Sequence, residues 1–488
     1  MRLSVFFHCC EDAPGQGGGR AWRAGLWVAL LVGLALRTWH FARNPAVWHD
    51  EAALLINVIH KDFHALLGPL TFGEAAPPLF LWLERVVVLL LGDETWSVRL
   101  FPFVASLGSV ILFAWLARRL LPPAAAVWGV GLFSVSDRLL WHACEAKPYA
   151  LDVCAAVALA SLFVGTRSWS WPRRLLPFLA LAPVCVLLVY PGCFLCGGLL
   201  LALLPELWPP SRDRLVPYAL LALLVFAAFV LLLIPAQAQR CSAMDDCWVR
   251  HFPPWDEPWR VPVWVVGATL DVIRYALMPT GWLLAGVVVV GGVLLWRRGE
   301  GAVVVLLVSP LALAFVASMA RAYPFGGSRV LVFAAPALIL LLAGGISPTW
   351  HWLRSRYRPA AWLLLVPLVW PAAMTAYRLA IPWDRADTDQ AAAWILSQFQ
   401  PGDAVLYNHW EYDYYFRRLV GCRGFLGECP VVAPRVWVVV TSLVPEDRQR
   451  LLEAAQVLGS ATRRGEFRHT TAVLFERPVP GAGSTSDL

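Results

Sequence analysis

Four polar clusters interrupt long apolar runs, and each has residue types that can do chemistry. The sharpest is Trp48-His49-Asp50-Glu51. Two adjacent carboxylates at an apolar boundary can divide two tasks. One takes a proton from an acceptor hydroxyl or helps to bind a divalent cation, and the other orients a substrate. The same pair also suits the first turn of a helix, where acids meet the positive end of the dipole, and both readings stand. The second cluster is Glu145-Ala146-Lys147-Pro148-Tyr149, which holds one of the chain's two lysines, the other being Lys61. A lysine binds a phosphate oxygen as a point charge; the competing reading is a snorkelling lysine followed by a proline that starts a helix. Third, Arg321 and Arg329 flank the glycine-bearing stretch Tyr323-Pro324-Phe325-Gly326-Gly327-Ser328. Guanidinium groups on a turn suit a lipid phosphate or pyrophosphate, or simply an interfacial loop. Fourth, Glu74 precedes Pro77-Pro78, a pair that positions the following helix.

The elements that must hold these clusters follow from composition. The chain has 488 residues, 59% hydrophobic and only 15% charged, with mean hydropathy +0.61. Soluble domains run at about 45–50% apolar and about 25% charged. The excess lies in blocks such as 25–36, 216–234 and 283–296, too many near bilayer-crossing length for a soluble core. A soluble enzyme, a nucleic-acid binder and a disordered scaffold are thereby excluded. The net charge of +7 needs no acidic partner, because basic residues between apolar spans fix membrane orientation.

Residues 1–23 read as a cytoplasmic tail, followed by a membrane domain over 24–380. Spans are expected near 24–41, 98–116, 124–141, 150–164, 175–190, 192–204, 216–234, 281–296, 303–319, 330–345 and 361–377. Segment 78–91 is apolar but short and carries Glu84 and Arg85 at its centre, so it reads as a helix lying at the interface. With it uncrossed, Arg118/Arg119, Arg173/Arg174, Arg212/Arg214, Arg297/Arg298 and Arg354/Arg356/Arg358 all face inside. The first outer loop, 43–97, which holds the first and fourth clusters, then lies outside with the other two. Of the eleven cysteines, Cys241/Cys247 and Cys422/Cys429 are closely spaced in polar stretches. They suit disulfides if those stretches face an oxidising compartment.

Past 381 the composition turns globular. Helical periodicity over 387–399 puts Ala391, Trp394, Ile395 and Phe399 on one face. Strands are expected at 404–407, 436–441 and 471–475, with a helix at 445–458. This makes a small extracytoplasmic α/β domain over 381–477 and a flexible tail over 478–488.

The order of these features carries a resemblance. An Asp-Glu pair follows the first span, then a Pro-Pro-Leu helix, then Arg99-Leu100 opening the next span, then Glu145-x-Lys147-x-Tyr149-Ala150-Leu151. This resembles the dolichyl-phosphate-mannose-protein mannosyltransferase-like glycosyltransferases of GT-C fold. It is similar above all to the bacterial branch with the RgtA/B/C/D-like proteins and the aminoarabinose transferases. The resemblance implies an α-helical polytopic membrane protein with about eleven transmembrane helices and a small outer α/β domain. It implies transfer of a sugar from a polyprenyl-phosphate-linked donor to a glycan, lipid or protein acceptor on the outer face of the inner (plasma) membrane. Asp50 matches the family's first-loop acid, and Glu51 is its partner. Lys147 stands where relatives often carry Arg, and Arg329 with Arg321 is assigned to the donor phosphate. Glu145 matches a second acidic position, and with His49, Glu74 and Tyr149 it is assigned to substrate binding. Metal dependence varies across such enzymes, which leaves a divalent ion open and no ligand set assigned. Two other classes compete: a transporter or flippase of lipid-linked sugars, and a structural or sensing membrane protein.

Overall fold

The apolar blocks become helices. The computed structural model describes residues 16–420, 422–427 and 433–477. The first 15 residues of the expected tail, the end at 478–488, and Cys429 with its expected pairing to Cys422 lie outside the described residues. Among those described, seven helices are long and apolar enough to cross a bilayer: Arg20–Ala42, Leu100–Leu120, Trp171–Leu188, Arg212–Gln239, Gly301–Met319, Arg329–Arg356 and Arg358–Ala380. Pro258–Ala276 and Gly281–Arg297 form a pair bent by 104°, and Pro123–Ser134, Tyr149–Gly165 and Gly192–Leu207 are apolar but shorter. Every expected span overlaps one of these helices, though the one expected at 124–141 ends as a helix at Ser134 and resumes as a separate short helix, Asp137–His142. Seven are of full length, three are short, and one is the second limb of the bent pair.

Sequence sets where they start and stop. Proline occupies the first or second position of Pro78–Leu91 and Pro123–Ser134, where its missing N–H costs nothing. Arginines close Leu100–Leu120 and Ala285–Arg297, the cationic end that the helix dipole favours. Pro78–Leu91 is a helix of 14 residues, below spanning length, with Glu84 buried in it.

The chain divides into two compact units, residues 1–43 with 61–381, and residues 44–60 with 382–488. In the first unit, buried Arg37 ties three helices together. Its guanidinium donates to Ser106 Oγ at 2.8 Å and to the carbonyl oxygens of Gly33, Phe133 and Ser134. A cation within a span needs such partners, since no water is there to replace them. Helices Ala285–Arg297 and Ala335–Arg356 approach through glycines. A Cβ on Gly291 would collide with the Leu341 carbonyl, and one on Gly345 with the Val287 carbonyl. Small residues at such a crossing let backbones touch. Cys241 and Cys247 belong to this unit as free thiols, so the expected bridge is not formed.

The second unit contains a five-stranded sheet of order β2-β1-β3-β5-β4. The strands are β1 (Ala404–Tyr407), β2 (Cys422–Phe425), β3 (Arg435–Thr441), β4 (Ser460–Phe467) and β5 (Thr470–Glu476). β1 runs parallel to β2 and β3, while β5 is antiparallel to β3 and β4. Alternate residues of β1, β3 and β5 feed two apolar layers. Helix Thr388–Leu396 covers one with Ala391 and Ile395; helix Pro445–Ala454 covers the other with Leu452. Burial on both faces explains the unbroken Val436-Trp437-Val438-Val439-Val440 run.

Candidate functional site

The polar residues of the first unit gather around the turn before helix Tyr149–Gly165. Pro148 precedes that helix and closes its first turn, accepting hydrogen bonds from the Leu151 and Asp152 amides. Within the turn the Lys147 amide donates to the Glu145 carbonyl oxygen at 2.8 Å. The two side chains leave it for different partners. Lys147, 3% exposed, places Nζ 2.7 Å from Glu74 Oε2, 73 residues away in sequence. Glu145 is fully buried and places Oε2 2.7 Å from His142 Nδ1. His142 Nε2 in turn lies 2.8 Å from Tyr275 Oη, and its ring packs 4.8 Å from that of Tyr149. Arg138 lies over the Tyr275 ring at 5.7 Å. A fixed chain therefore runs Tyr275–His142–Glu145, with the Lys147–Glu74 pair beside it. A buried lysine and carboxylate are costly to desolvate, and such clusters concentrate where chemistry is done.

Glu74 is held from behind by an amide. Gln239 Oε1 accepts from the Ala76 amide and from Tyr190 Oη, each at 3.0 Å, while its Nε2 donates to the Leu66 carbonyl at 3.3 Å. This pins the loop at both sides of Glu74 to the end of helix Arg212–Gln239.

Arg329 and Arg321 sit differently from each other. Arg329 opens the 3-10 turn Arg329–Ala334 and lies over the Trp248 ring at 5.7 Å. Arg321 is exposed at the end of helix Gly301–Met319. The glycine turn is pinned rather than loose. The Phe325 amide donates to the His251 carbonyl at 2.9 Å, and a Cβ on Gly327 would sit 2.7 Å from the Asp271 carbonyl oxygen. Burial pushes the His251 imidazole below its ordinary value; nearby Asp271 opposes this and Arg329 adds to it.

In the second unit, His49, Asp50 and Glu51 open helix His49–His60, so the helix-start reading describes their backbone. Glu51 is fully buried, accepts from the Trp48 amide at 3.4 Å and pairs with Arg385 Nη1 at 3.0 Å. Asp50, 8% exposed, places Oδ1 3.2 Å from His49 Nε2. His409 stacks edge-on to His49 at 5.6 Å, and Glu411 is buried next to it. Burial, with His49 helping, pushes His409 down to about 4. Burial pushes Glu411 up to about 8, with Glu51 adding and Arg385 opposing.

The structure thus joins Glu74 to Lys147, Glu145 to His142 with Tyr149 alongside, and His49 to Asp50. Asp50 and Lys147 fall in different units. Among the described residues, no group of three or more His, Cys, Asp or Glu side chains could hold a metal ion. Sequence reading missed His142, Tyr190, Gln239, Tyr275, Arg385, His409 and Glu411. Only His142 carried a local signal, three residues before Glu145 on a helical turn.

No family model matches the chain. The protein ArnT from Cupriavidus metallidurans, in the apo state, is similar over 92% of this chain and 97% of its own, with TM-score 0.51 and 14% identity. The same protein bound to undecaprenyl phosphate is similar over 94% and 98%, with TM-score 0.51 and 13% identity. A curated Bacillus subtilis (strain 168) protein described as "Putative mannosyltransferase YycA" is 30% identical over 99 residues, 18% of this chain. The chain covers only 14% of that relative's length. Likeness across nearly the whole of both chains, at low identity, is likeness of fold, and it agrees with the helices described above. By fold, this chain is a multi-pass membrane protein of the GT-C type with a small C-terminal α/β unit.

Proposed function

We propose that the protein is an integral membrane glycosyltransferase that moves a sugar from a polyprenyl-phosphate donor to a hydroxyl of a cell-envelope glycan, lipid or protein on the outer face of the membrane. The observation that carries this reading is the near full-length likeness in fold to a protein that binds undecaprenyl phosphate. The buried Lys147–Glu74 and His142–Glu145 pairs support it, because a GT-C membrane domain with no polar chemistry has little reason to bury them.

In this reading Asp50 accepts the proton of the acceptor hydroxyl while that oxygen bonds to the sugar. The bond from sugar to phosphate breaks, and its electron pair leaves with the polyprenyl phosphate. Lys147 and Arg329 meet the charge that develops on the leaving phosphate, and Arg321 attracts the donor from its exposed position. Lys147 approaches phosphate while sharing its charge with Glu74. Glu51 is occupied by Arg385, which leaves Asp50 as the acting carboxylate, with His49 orienting it. Glu145 and Tyr149, fixed by His142, shape the sugar site. Orientation follows from the arginines: an inside N-terminus, an outside α/β unit, and residence in the plasma membrane.

The test is mass spectrometry of cell-envelope glycans and lipids from cells with and without the gene. Deletion should remove one sugar from one acceptor, and the parent gene should restore it. An unchanged glycan and lipid profile after deletion would overturn the reading.

A further inference from the structure

Residues 46–51 are gripped by side chains from more than 330 positions later in the chain. Arg385 Nη1 donates to the Ala46 carbonyl oxygen at 2.7 Å and to Glu51 Oε2 at 3.0 Å. Tyr415 Oη accepts from the Val47 amide at 2.7 Å. Trp410 Nε1 donates to the His49 carbonyl oxygen at 2.7 Å. Four features of the stretch entering helix His49–His60 are thereby fixed: two carbonyls, one amide and the first-turn carboxylate.

Arg385, Trp410 and Glu411 belong to neither apolar layer of the sheet. The sheet and its covering helices have a complete core without them. Arg385 and Glu51 are also nearly or wholly buried, at 8% and 0% exposed. A buried ion pair contributes little net stability over an apolar pair of the same volume, and its best-attested use is to fix geometry. Here the geometry fixed is that of the segment carrying Asp50. A catalytic group must be held within a fraction of an ångström, and the residues that hold it matter as much as the group itself.

We infer that Arg385 is a positioning residue for sugar transfer, and that the C-terminal unit is the mould of the first-loop acid site, through Arg385, Trp410 and Tyr415. This rests on the transferase reading above. It gives the α/β unit a task that needs no ligand of its own. Arg385 acts through Glu51 and the Ala46 carbonyl; it does not touch the donor.

The experiment uses the full chain in lipid nanodiscs and in a gene-deletion strain, with Arg385→Met, Arg385→Lys and Trp410→Phe. Three quantities are read: amide exchange of 46–51 against β3, binding of undecaprenyl phosphate, and the envelope sugar restored in cells. Arg385→Met should exchange at least tenfold faster at 46–51 while β3 stays protected. It should bind undecaprenyl phosphate within about twofold of the parent and restore less than a tenth of the sugar. Arg385→Lys, which keeps one donor and the charge, should recover part of both losses, and Trp410→Phe should loosen 46–51 alone. Parental sugar levels with Arg385→Met would overturn the inference. So would exchange rising equally in β3, which would make Arg385 a residue of the fold. Failure of the parent itself to restore any sugar would instead remove the transferase reading, leaving the exchange data to judge the mould.

Discussion

At the residue scale, the second unit holds two titrating groups with opposite signs. Glu411 titrates near 8 in the fold, against an ordinary value of 4.5. Between these values the folded chain keeps a proton that the unfolded chain has lost. The stability this gives is complete below about pH 4.5 and is lost as pH rises through 8. His409 titrates near 4 instead of 6.5, so its contribution is complete above about pH 6.5 and is lost as pH falls through 4. Above pH 6.5 only Glu411 is still changing. We therefore expect the thermal midpoint of the unit, followed by tryptophan fluorescence in the full chain, to fall from pH 6.5 to 8, and Glu411→Gln to flatten that fall. Equal falls in both proteins would contradict the assignment. The buried Glu51–Arg385 pair predicts asymmetry as well. Removing one partner of such a pair leaves an uncompensated buried charge, so Glu51→Gln with Arg385→Met should loosen 46–51 less than the two single changes added, as a double-mutant cycle of amide-exchange rates there would show. The Asp-Glu pair and Lys147 stood out in the sequence as charged groups bordering long apolar runs. Their partners did not, since Glu74 and Arg385 lie 73 and 334 positions away from Lys147 and Glu51 and nothing local marks the distance.

At the element scale, Gln239 is the joint between helix Arg212–Gln239 and the loop that presents Glu74. Gln239→Leu leaves the Ala76 amide and Tyr190 hydroxyl without their buried acceptor, at a cost of about 1–3 kcal/mol for each unsatisfied group. The expected result is faster amide exchange over 66–76 with the helix itself unchanged; unchanged exchange over 66–76 would show that the loop is held elsewhere. What sequence revealed at this scale depended on burial. β1 and the centres of β3 and β5 are apolar and buried and read plainly as strands. β4, Ser-Ala-Thr-Arg-Arg-Gly-Glu-Phe, lies at the sheet edge and is mostly exposed, so it carries the charges that protect edges and shows no apolar alternation. β2 is the opposite edge, four residues with a glycine, too short to register. The bent pair Pro258–Ala276 and Gly281–Arg297 was half legible. Its second limb reads as a span, but the 104° break comes from the turn between them, which periodicity does not report.

At the scale of the whole molecule, apolar blocks marked eleven expected spans, of which seven fall on helices of full spanning length among the described residues, because the bilayer imposes one rule on every span; the arginine positions propose an orientation. The segment 44–60 escaped that rule. It reads as part of an outer loop and folds into the C-terminal unit, which only tertiary contacts reveal. Orientation is tested by a reporter fused after the last residue: periplasm-type activity is expected, and cytoplasmic activity would invert the charge count. The proposed reaction is sugar transfer with Asp50 as the proton acceptor. Its most direct measurement is the rate at which the purified full chain, in nanodiscs with envelope extract as acceptor, releases undecaprenyl phosphate from a panel of undecaprenyl-phosphate sugars. The account predicts acceptor-dependent release by the parent for at least one sugar, and a fall of about 10²–10⁴-fold in Asp50→Asn at equal expression and folding. Release by Asp50→Asn at the parental rate, or none by the parent with any sugar of the panel, would contradict it.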